Sequence, residues 1–331
     1  MGRFSGEVPA TALPIAQPTI VRLNSGCGEG WVYVAYHTIQ EWYWGEFDQR
    51  LFDLIAIAAY VYAADQAIPR GNQAKHDYGT GWRRCLFFRI AVSDCAFWQQ
   101  PQVQTALVDL LSFLSEDDYQ FDFVACTRRR GWRAPEELTY NLCPLEGCEE
   151  VMLFSGGLDS LAGAIELGLV QRRRAVWVKH ESNPKFTTHH KDLATDLARR
   201  LAVRGTYVPV VAYKSQDLSG EPIQRTRAFL FGSLAVTLAR YLKLNRILFF
   251  ENGVLSLNLP LATQVVGSRA TRTTHPQTLW AMGGLFSLVL ERCFRVENPF
   301  VWRTKKDIIK LICDQGCADL LARATSCAKP R

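Results

Sequence analysis

The sequence predicts an α/β protein, with a doubly wound parallel sheet in its C-terminal half preceded by a smaller α+β domain. Three observations predict it. Short runs of buried-strand composition, VMLF (151–154), AVWVK (175–179), TYVPVVAY (206–213) and RILFF (246–250), alternate with segments of helical pattern. The intervening segments, Ser160 to Gly168, Thr188 to Val203 and Arg225 to Leu244, are long enough for crossover helices. In the last of them Phe229, Leu230, Ser233, Leu234, Thr237, Leu238 and Tyr241 follow one 3.6-residue stripe. Repeats of this kind form right-handed βαβ units and a parallel sheet covered on both faces.

In the N-terminal part, TIVRL (19–23) and WVYVAY (31–36) read as strands around a Gly-rich turn. LFDLIAIAAYVYAA (51–64) is too long for a strand and lacks alternation, so it predicts a buried helix. CLFFRIAV (85–92) and FDFVAC (121–126) read as strands, with VQTALVDLLSFL (103–114) a helix between them. The join is expected between Arg128 and Glu150, a stretch holding RRRGWR, Pro135, Pro144 and Gly147, and it divides the chain into 1–145 and 146–331. No catalytic constellation stands out in the first part, which is expected to support the second.

At 331 residues, 48% hydrophobic and 21% charged, the chain is neither disordered nor low-complexity. A protein of this size removes roughly 75% of its unfolded surface from water, so its core needs no disulfide or metal staple. The balance of 38 Lys and Arg against 32 Asp and Glu gives a net charge of +6, as suited to an anionic ligand as to nucleic acid. Ten cysteines with no signal peptide read as reduced thiols or metal ligands, so a cytoplasmic location is expected. The longest apolar run, Leu51 to Ala64, is 14 residues and carries Asp53, too short and too charged to span a membrane.

The chemistry concentrates after the first C-terminal strand, in Ser155-Gly156-Gly157-Leu158-Asp159-Ser160. Two glycines let the main chain approach a ligand closely. Their N–H groups, the hydroxyls of Ser155 and Ser160 and the positive end of the following helix converge on one spot, which makes a phosphate site. The alternative is a turn in which Asp159 or Ser160 merely caps the helix. It is not a Walker loop, because no Lys-Ser/Thr follows Gly163.

Other candidates lie at strand ends or helix starts. Lys179 closes the strand AVWVK and is a candidate nucleotide ligand. Arg225 and Arg227 open a helix, where the dipole disfavours cations, so either an anionic ligand or plain solvation accounts for them. Glu251-Asn252-Gly253 follows RILFF and is placed either to read a purine-like base or to cap a turn. Arg272 precedes Thr274, His275 and Pro276, a helix start that equally suits an anion site or an N-cap. Lys305 opens the amphipathic segment Asp307 to Leu321 and is a candidate phosphate ligand, although most lysines are surface charge. His189 and His190, beside Lys191 at a helix start, are expected to be solvated. The arginine runs at 128–133 and 171–175, with Trp132, allow a nucleic-acid contact, which is not favoured over solvated loops.

The motif SGGLDS (155–160) resembles the pyrophosphate-binding loop of the N-type ATP pyrophosphatases. Further segments, RTRAFLFGSLA (225–235), ENGVLSLNLPL (251–261), SRATRTTHP (268–276), NPFVWRTKKD (298–307) and SCAKP (326–330), are similar to the 7-cyano-7-deazaguanine synthase family. With IAAYVYAADQAIPR (57–70) and WRRCLFFRIAV (82–92), they are most like the synthase-like proteins of bacterial anti-phage defence systems. The resemblance covers about residues 50 to 331. It implies an adenine nucleotide α-hydrolase-like domain that uses ATP and Mg²⁺ to activate a carboxylate, of a 7-carboxy-7-deazaguanine-like molecule or of a protein. A nitrogen nucleophile then gives an amide or nitrile. In that scheme Ser155, Gly156, Gly157, Leu158 and Ser160 hold pyrophosphate, Asp159 orients the loop or the metal, and Arg225 and Arg227 clamp the α-phosphate or the carboxylate. Protein partners from a defence operon are also implied. The alternatives are a tRNA-modifying relative that adenylates a base oxygen, and an ATP-sensing subunit without turnover. The resemblance further implies a four-cysteine Zn²⁺ site whose first ligand would be Cys327, with the others beyond Arg331, so a C-terminally truncated domain is expected. Cys313 and Cys317 are expected to pack rather than ligate, and Cys143 and Cys148 have loop spacing but no second pair.

Overall fold

The computed structural model of the chain describes residues 30–34, 48–69, 83–126, 145–181, 187–201, 203, 205–215, 218, 224–258 and 271–324. Its centre is a six-stranded sheet. Strands β4 (Glu150–Leu153), β5 (Ala175–Glu181), β6 (Thr206–Lys214), β7 (Arg246–Leu248) and β8 (Arg295–Glu297) run parallel, and β1 (Val32–Val34) pairs antiparallel on the edge beside β6. The strand order is β1-β6-β5-β4-β7-β8. The chain therefore steps outward from β4 in one direction through β5 and β6, and in the other through β7 and β8. The reversal opens a crevice at the carboxyl ends of β4 and β7, where ligands of such sheets bind.

Successive residues of each strand feed two separate cores, which explains why the strands read as unbroken apolar runs. Val151, Leu153, Val176, Val178, Ile247 and Phe249 face one side, with helices α6 (Arg227–Tyr241) and α8 (Pro276–Leu290). Met152, Phe154, Trp177, Leu248 and Phe250 face the other, with α4 (Leu158–Ile165), α5 (Thr187–Arg200) and α9 (Lys305–Asp314). The local sequence sets the helix starts. Pro276 takes the first position of α8 behind the cap of His275, and Thr304 with Asp307 forms a capping box at α9.

The N-terminal segment packs on the first of these faces. Helix α1 (Gln49–Ala67) is buried all round, as its uninterrupted apolar composition predicts, and it shares one core with α6 and the sheet. Strands β2 (Cys85–Val92) and β3 (Asp118–Ala125) pair in parallel, joined through α2 (Cys95–Trp98) and α3 (Pro101–Ser115). This segment is thus a βαβ unit, where an α+β arrangement was expected. A parallel pair needs a crossover of a dozen or more residues, and α2 with α3 supplies it.

A buried polar network fastens the segment in place. Arg84 donates from Nη2 to Asp65 and Asp117, both at 2.6 Å, and Asp65 also accepts the backbone N–H and the hydroxyl of Thr226 at the start of α6, both at 3.1 Å. No helix among the described residues is long and apolar enough to cross a membrane.

Candidate functional site

The glycine loop leaves β4 at the crevice and enters α4. Gly156 sits at φ +81°, which only glycine adopts without strain. Gly157 is the N-cap of α4 and offers no side chain, so the first turn of the helix has no side-chain cap. The two serines close the loop on itself: Ser155 Oγ lies 3.1 Å from Ser160 Oγ and accepts the Gly157 N–H at 3.2 Å, and Ser160 Oγ donates to the Gly157 carbonyl at 2.9 Å. Lys179, buried at the end of β5, donates to the Ser155 carbonyl at 2.5 Å and pins the loop from the neighbouring strand.

Asp159 is the meeting point of three elements. Its carboxylate accepts from the Asn252 amide at 3.0 Å, at the end of β7, and from the Lys305 ammonium at 2.8 Å, at the start of α9. Residues 93 and 146 positions apart in the chain thus converge on the first turn of α4. Asn252 also caps the short helix α7 (Gly253–Leu257), the capping role the sequence allowed for it. Gly253 is forced by close approach, since a Cβ there would lie 2.2 Å from the Val301 carbonyl oxygen. Glu251 accepts the Thr274 hydroxyl, and its main chain is held on both sides by Asn298, at 3.2 and 2.8 Å. Burial pushes the Glu251 carboxyl above its usual range, and the nearby Asp159 charge adds to the rise, while the Thr274 hydrogen bond opposes it.

Two of the expected anion-binding arginines are already paired with a carboxylate. Arg225 and Arg272 both reach Glu116, which ends α3, at 3.0 and 2.6 Å. Arg272 also donates to the Phe113 carbonyl at 2.9 Å and lies over the Phe113 ring. The reason Arg225 tolerates a helix start is therefore a carboxylate of the N-terminal segment. Arg227 differs: it makes no ion pair among the described residues and lies over the Phe231 ring at 4.8 Å. Its charge acts on His180 at the end of β5, whose pKa falls to about 3, chiefly through burial.

His190 is the residue the sequence reading missed. It was expected in solvent. Its ring instead lies against the glycine loop, where a Cβ on Gly156 would come within 2.4 Å of it. Burial, then the charge of Lys179, lowers its pKa to about 4, so it is neutral at pH 7. Position alone could have found it, since the first turn of a helix following a strand's carboxyl end faces the crevice. Its neighbour His189 bonds the Arg323 carbonyl at 2.9 Å.

The remaining candidates are structural or lie outside the described residues. Arg173 pairs with Glu150 and Arg174 with the Glu146 carbonyl at 2.6 Å, near the amino end of β4 and away from the crevice. Cys317 is buried in the second core and Cys313 is exposed. No group of three or more His, Cys, Asp or Glu suited to a metal ion occurs among the described residues. Cys327, Cys143, the 19–23 strand and the 128–133 arginine run lie outside the described residues. No protein-family model matches the sequence, and no curated protein matches it significantly.

Proposed function

We propose that the chain binds ATP at the carboxyl end of its sheet and transfers AMP to a carboxylate with release of pyrophosphate, as an N-type ATP pyrophosphatase resembling the 7-cyano-7-deazaguanine synthases. The observation that carries this reading is the convergence on α4. An uncapped helix start behind a glycine turn stands at the topological switch point, with Asp159 held between Asn252 and Lys305.

In this reading the β- and γ-phosphates displace the internal bonds of Ser155 and Ser160 and take the N–H groups of Gly157 and Leu158. Lys305 balances the charge that develops on the departing pyrophosphate, and Arg227 holds the α-phosphate or the substrate acid. Asp159 is the carboxylate that would hold Mg²⁺, which when bound would supply Lewis-acid stabilisation of the same charge. The described residues do not build a zinc site, so no step is assigned to zinc.

A second reading is nucleotide sensing without turnover. It is favoured by the closed state of the loop, whose hydroxyls already satisfy each other. Measuring pyrophosphate release from ATP across a panel of carboxylic acids separates the two. Acid-dependent release that disappears in Ser155→Ala/Asp159→Ala is expected. ATP binding by calorimetry with no AMP formed would establish the sensor instead.

A further inference from the structure

Helix α8 has the composition of a buried helix, yet one of its faces is open. Its 15 residues include no charged side chain, whereas α1, which is buried all round, carries Arg50, Asp53 and Asp65. Leu279, Met282, Leu285, Phe286 and Val289 of α8 face the core shared with the sheet. The opposite stripe, Gln277, Trp280, Ala281, Gly284 and Leu288, is exposed or half-buried, and Trp280 is 80% exposed. A helix face turned to water ordinarily carries charge, so an uncharged one with a large aromatic marks a surface for another protein.

Beside this stripe a groove of about 600 Å³ separates α8 from β8, the outermost strand of the sheet. Gly283 and Gly284 line it on the helix side, Phe294, Val296 and Val301 on the other, and Trp280 stands at its rim. A Cβ on Gly284 would meet no atom within 4 Å, so the groove is open at that point. The polar side chains of the lining are engaged: Arg295 pairs with Glu297 at 3.2 Å, and Ser287 donates to the Gly283 carbonyl at 2.7 Å and accepts the Phe294 N–H at 2.9 Å. One main-chain acceptor is turned outward. Arg295 N–H donates to Asn245 at 2.9 Å and the Glu297 carbonyl accepts from Phe249 at 2.8 Å, so Val296 between them directs its carbonyl away from β7. Trp302, 83% exposed, follows Val301 and extends the apolar surface.

A projecting indole and an open hole thus lie one turn apart on a single helix. Two such helices crossing antiparallel, about a two-fold axis between residues 280 and 284, set Trp280 of each copy opposite Gly284 of the other. Both indoles are then seated by one docking step. The same axis brings the C-terminal end of each helix, with Glu291, towards the N-terminal end of the other, with Arg272, so helix dipoles and end charges are complementary. We propose that α8 is the interface of a symmetric homodimer, in which Trp280 of each copy fills the groove of the other over Gly284. The seated indole N–H donates to the outward Val296 carbonyl, the kind of partner a buried tryptophan requires. This assignment is independent of the adenylation reading.

Sedimentation equilibrium of the 331-residue chain tests it, with a monomer–dimer equilibrium expected. Trp280→Ala removes the knob and Gly284→Leu fills the hole. Each should weaken the dimer at least about thirtyfold, as loss of a central tryptophan anchor does. Both should keep the far-UV circular dichroism of the unaltered chain, because Trp280 is exposed, the space beside Gly284 is open, and leucine favours a helix over glycine. An equimolar mixture of the two variants is the most specific arm. Trp280 of the Gly284→Leu chain can enter the intact groove of the Trp280→Ala chain, while on the other side the enlarged side chain meets the shortened one. The mixture should therefore associate more tightly than either variant alone. A chain that stays monomeric up to its solubility limit would overturn the proposal and leave α8 to a different partner. Either variant dimerising as the unaltered chain does, or a mixture no tighter than its components, would overturn it equally.

Discussion

Two charged clusters of this protein are built in opposite ways. Around Arg84, beneath the N-terminal segment, every charge is answered: the guanidinium contacts Asp117 and Asp65 and also the Asp65 and Ile68 carbonyls, at 3.0 and 2.5 Å. Although burial opposes it, the two carboxylates push the Arg84 pKa further up. At the carboxyl end of the sheet, by contrast, Glu251 and Arg227 have no ion-pair partners among the described residues, and the start of α4 has no side-chain cap. A saturated cluster fixes geometry. An unsaturated one retains the capacity to hold a ligand. Burial of charge therefore does not mark a site by itself; incomplete pairing does.

The largest test of this contrast is Arg84→Leu, which leaves Asp65 and Asp117 buried and uncompensated. It should cost about 3–5 kcal/mol in denaturant unfolding, as breaking a buried pair does. A smaller effect is expected at Gly156→Ala. Alanine is strained at φ +81° and its Cβ meets His190, for about 1–3 kcal/mol by the same measurement. His190→Ala in the same chain should recover the part due to contact and leave the part due to backbone strain.

On the unsaturated side, Lys305→Met should lower the melting temperature less than Arg84→Leu, because the ammonium is half exposed and Asp159 keeps its Asn252 hydrogen bond. It should weaken ATP about tenfold in calorimetry, the loss of one charge-assisted hydrogen bond of roughly 1.5 kcal/mol. Equal ATP affinity in Lys305→Met and the unaltered chain would remove Lys305 from the site.

The histidines give the contrast a pH signature. His190 stays neutral in the fold down to about pH 4 and His180 down to about 3, whereas an unfolded imidazole takes up its proton near pH 6.5. Their contribution is complete above pH 6.5 and is lost as the pH falls through those lower values. His190→Gln should flatten the fall in melting temperature between pH 6.5 and 4. A pH profile identical to that of the unaltered chain would show His190 to be solvated after all. The smallest effect is expected at Arg200→Ala, which removes an exposed pair with Asp319 at 2.6 Å and should leave the melting temperature unchanged.

Much of the architecture was legible in local pattern. The strand AVWVK and the helix around residues 51–64 form where their composition places them, because burial on two faces or all round leaves a continuous apolar run, and the strand CLFFRIAV forms with alternate positions buried. The glycine loop was legible as well, since tight turns restrict which residues can occupy them. The partners of long side chains were not. Arg225 and Arg272 are indistinguishable in sequence from Arg227, yet they end on Glu116, more than 100 positions away. Likewise nothing local distinguishes His190 from His189.

The sequence by itself determined the alternation of strands and helices, the turn that Gly156 and Gly157 permit, and the apolar faces, because these depend on residues within one or two turns of each other. Tertiary structure alone decided which charges cancel and which stay open. That depends on where α3, β7 and α9 arrive in space, a consequence of strand order and helix packing that no local spacing encodes.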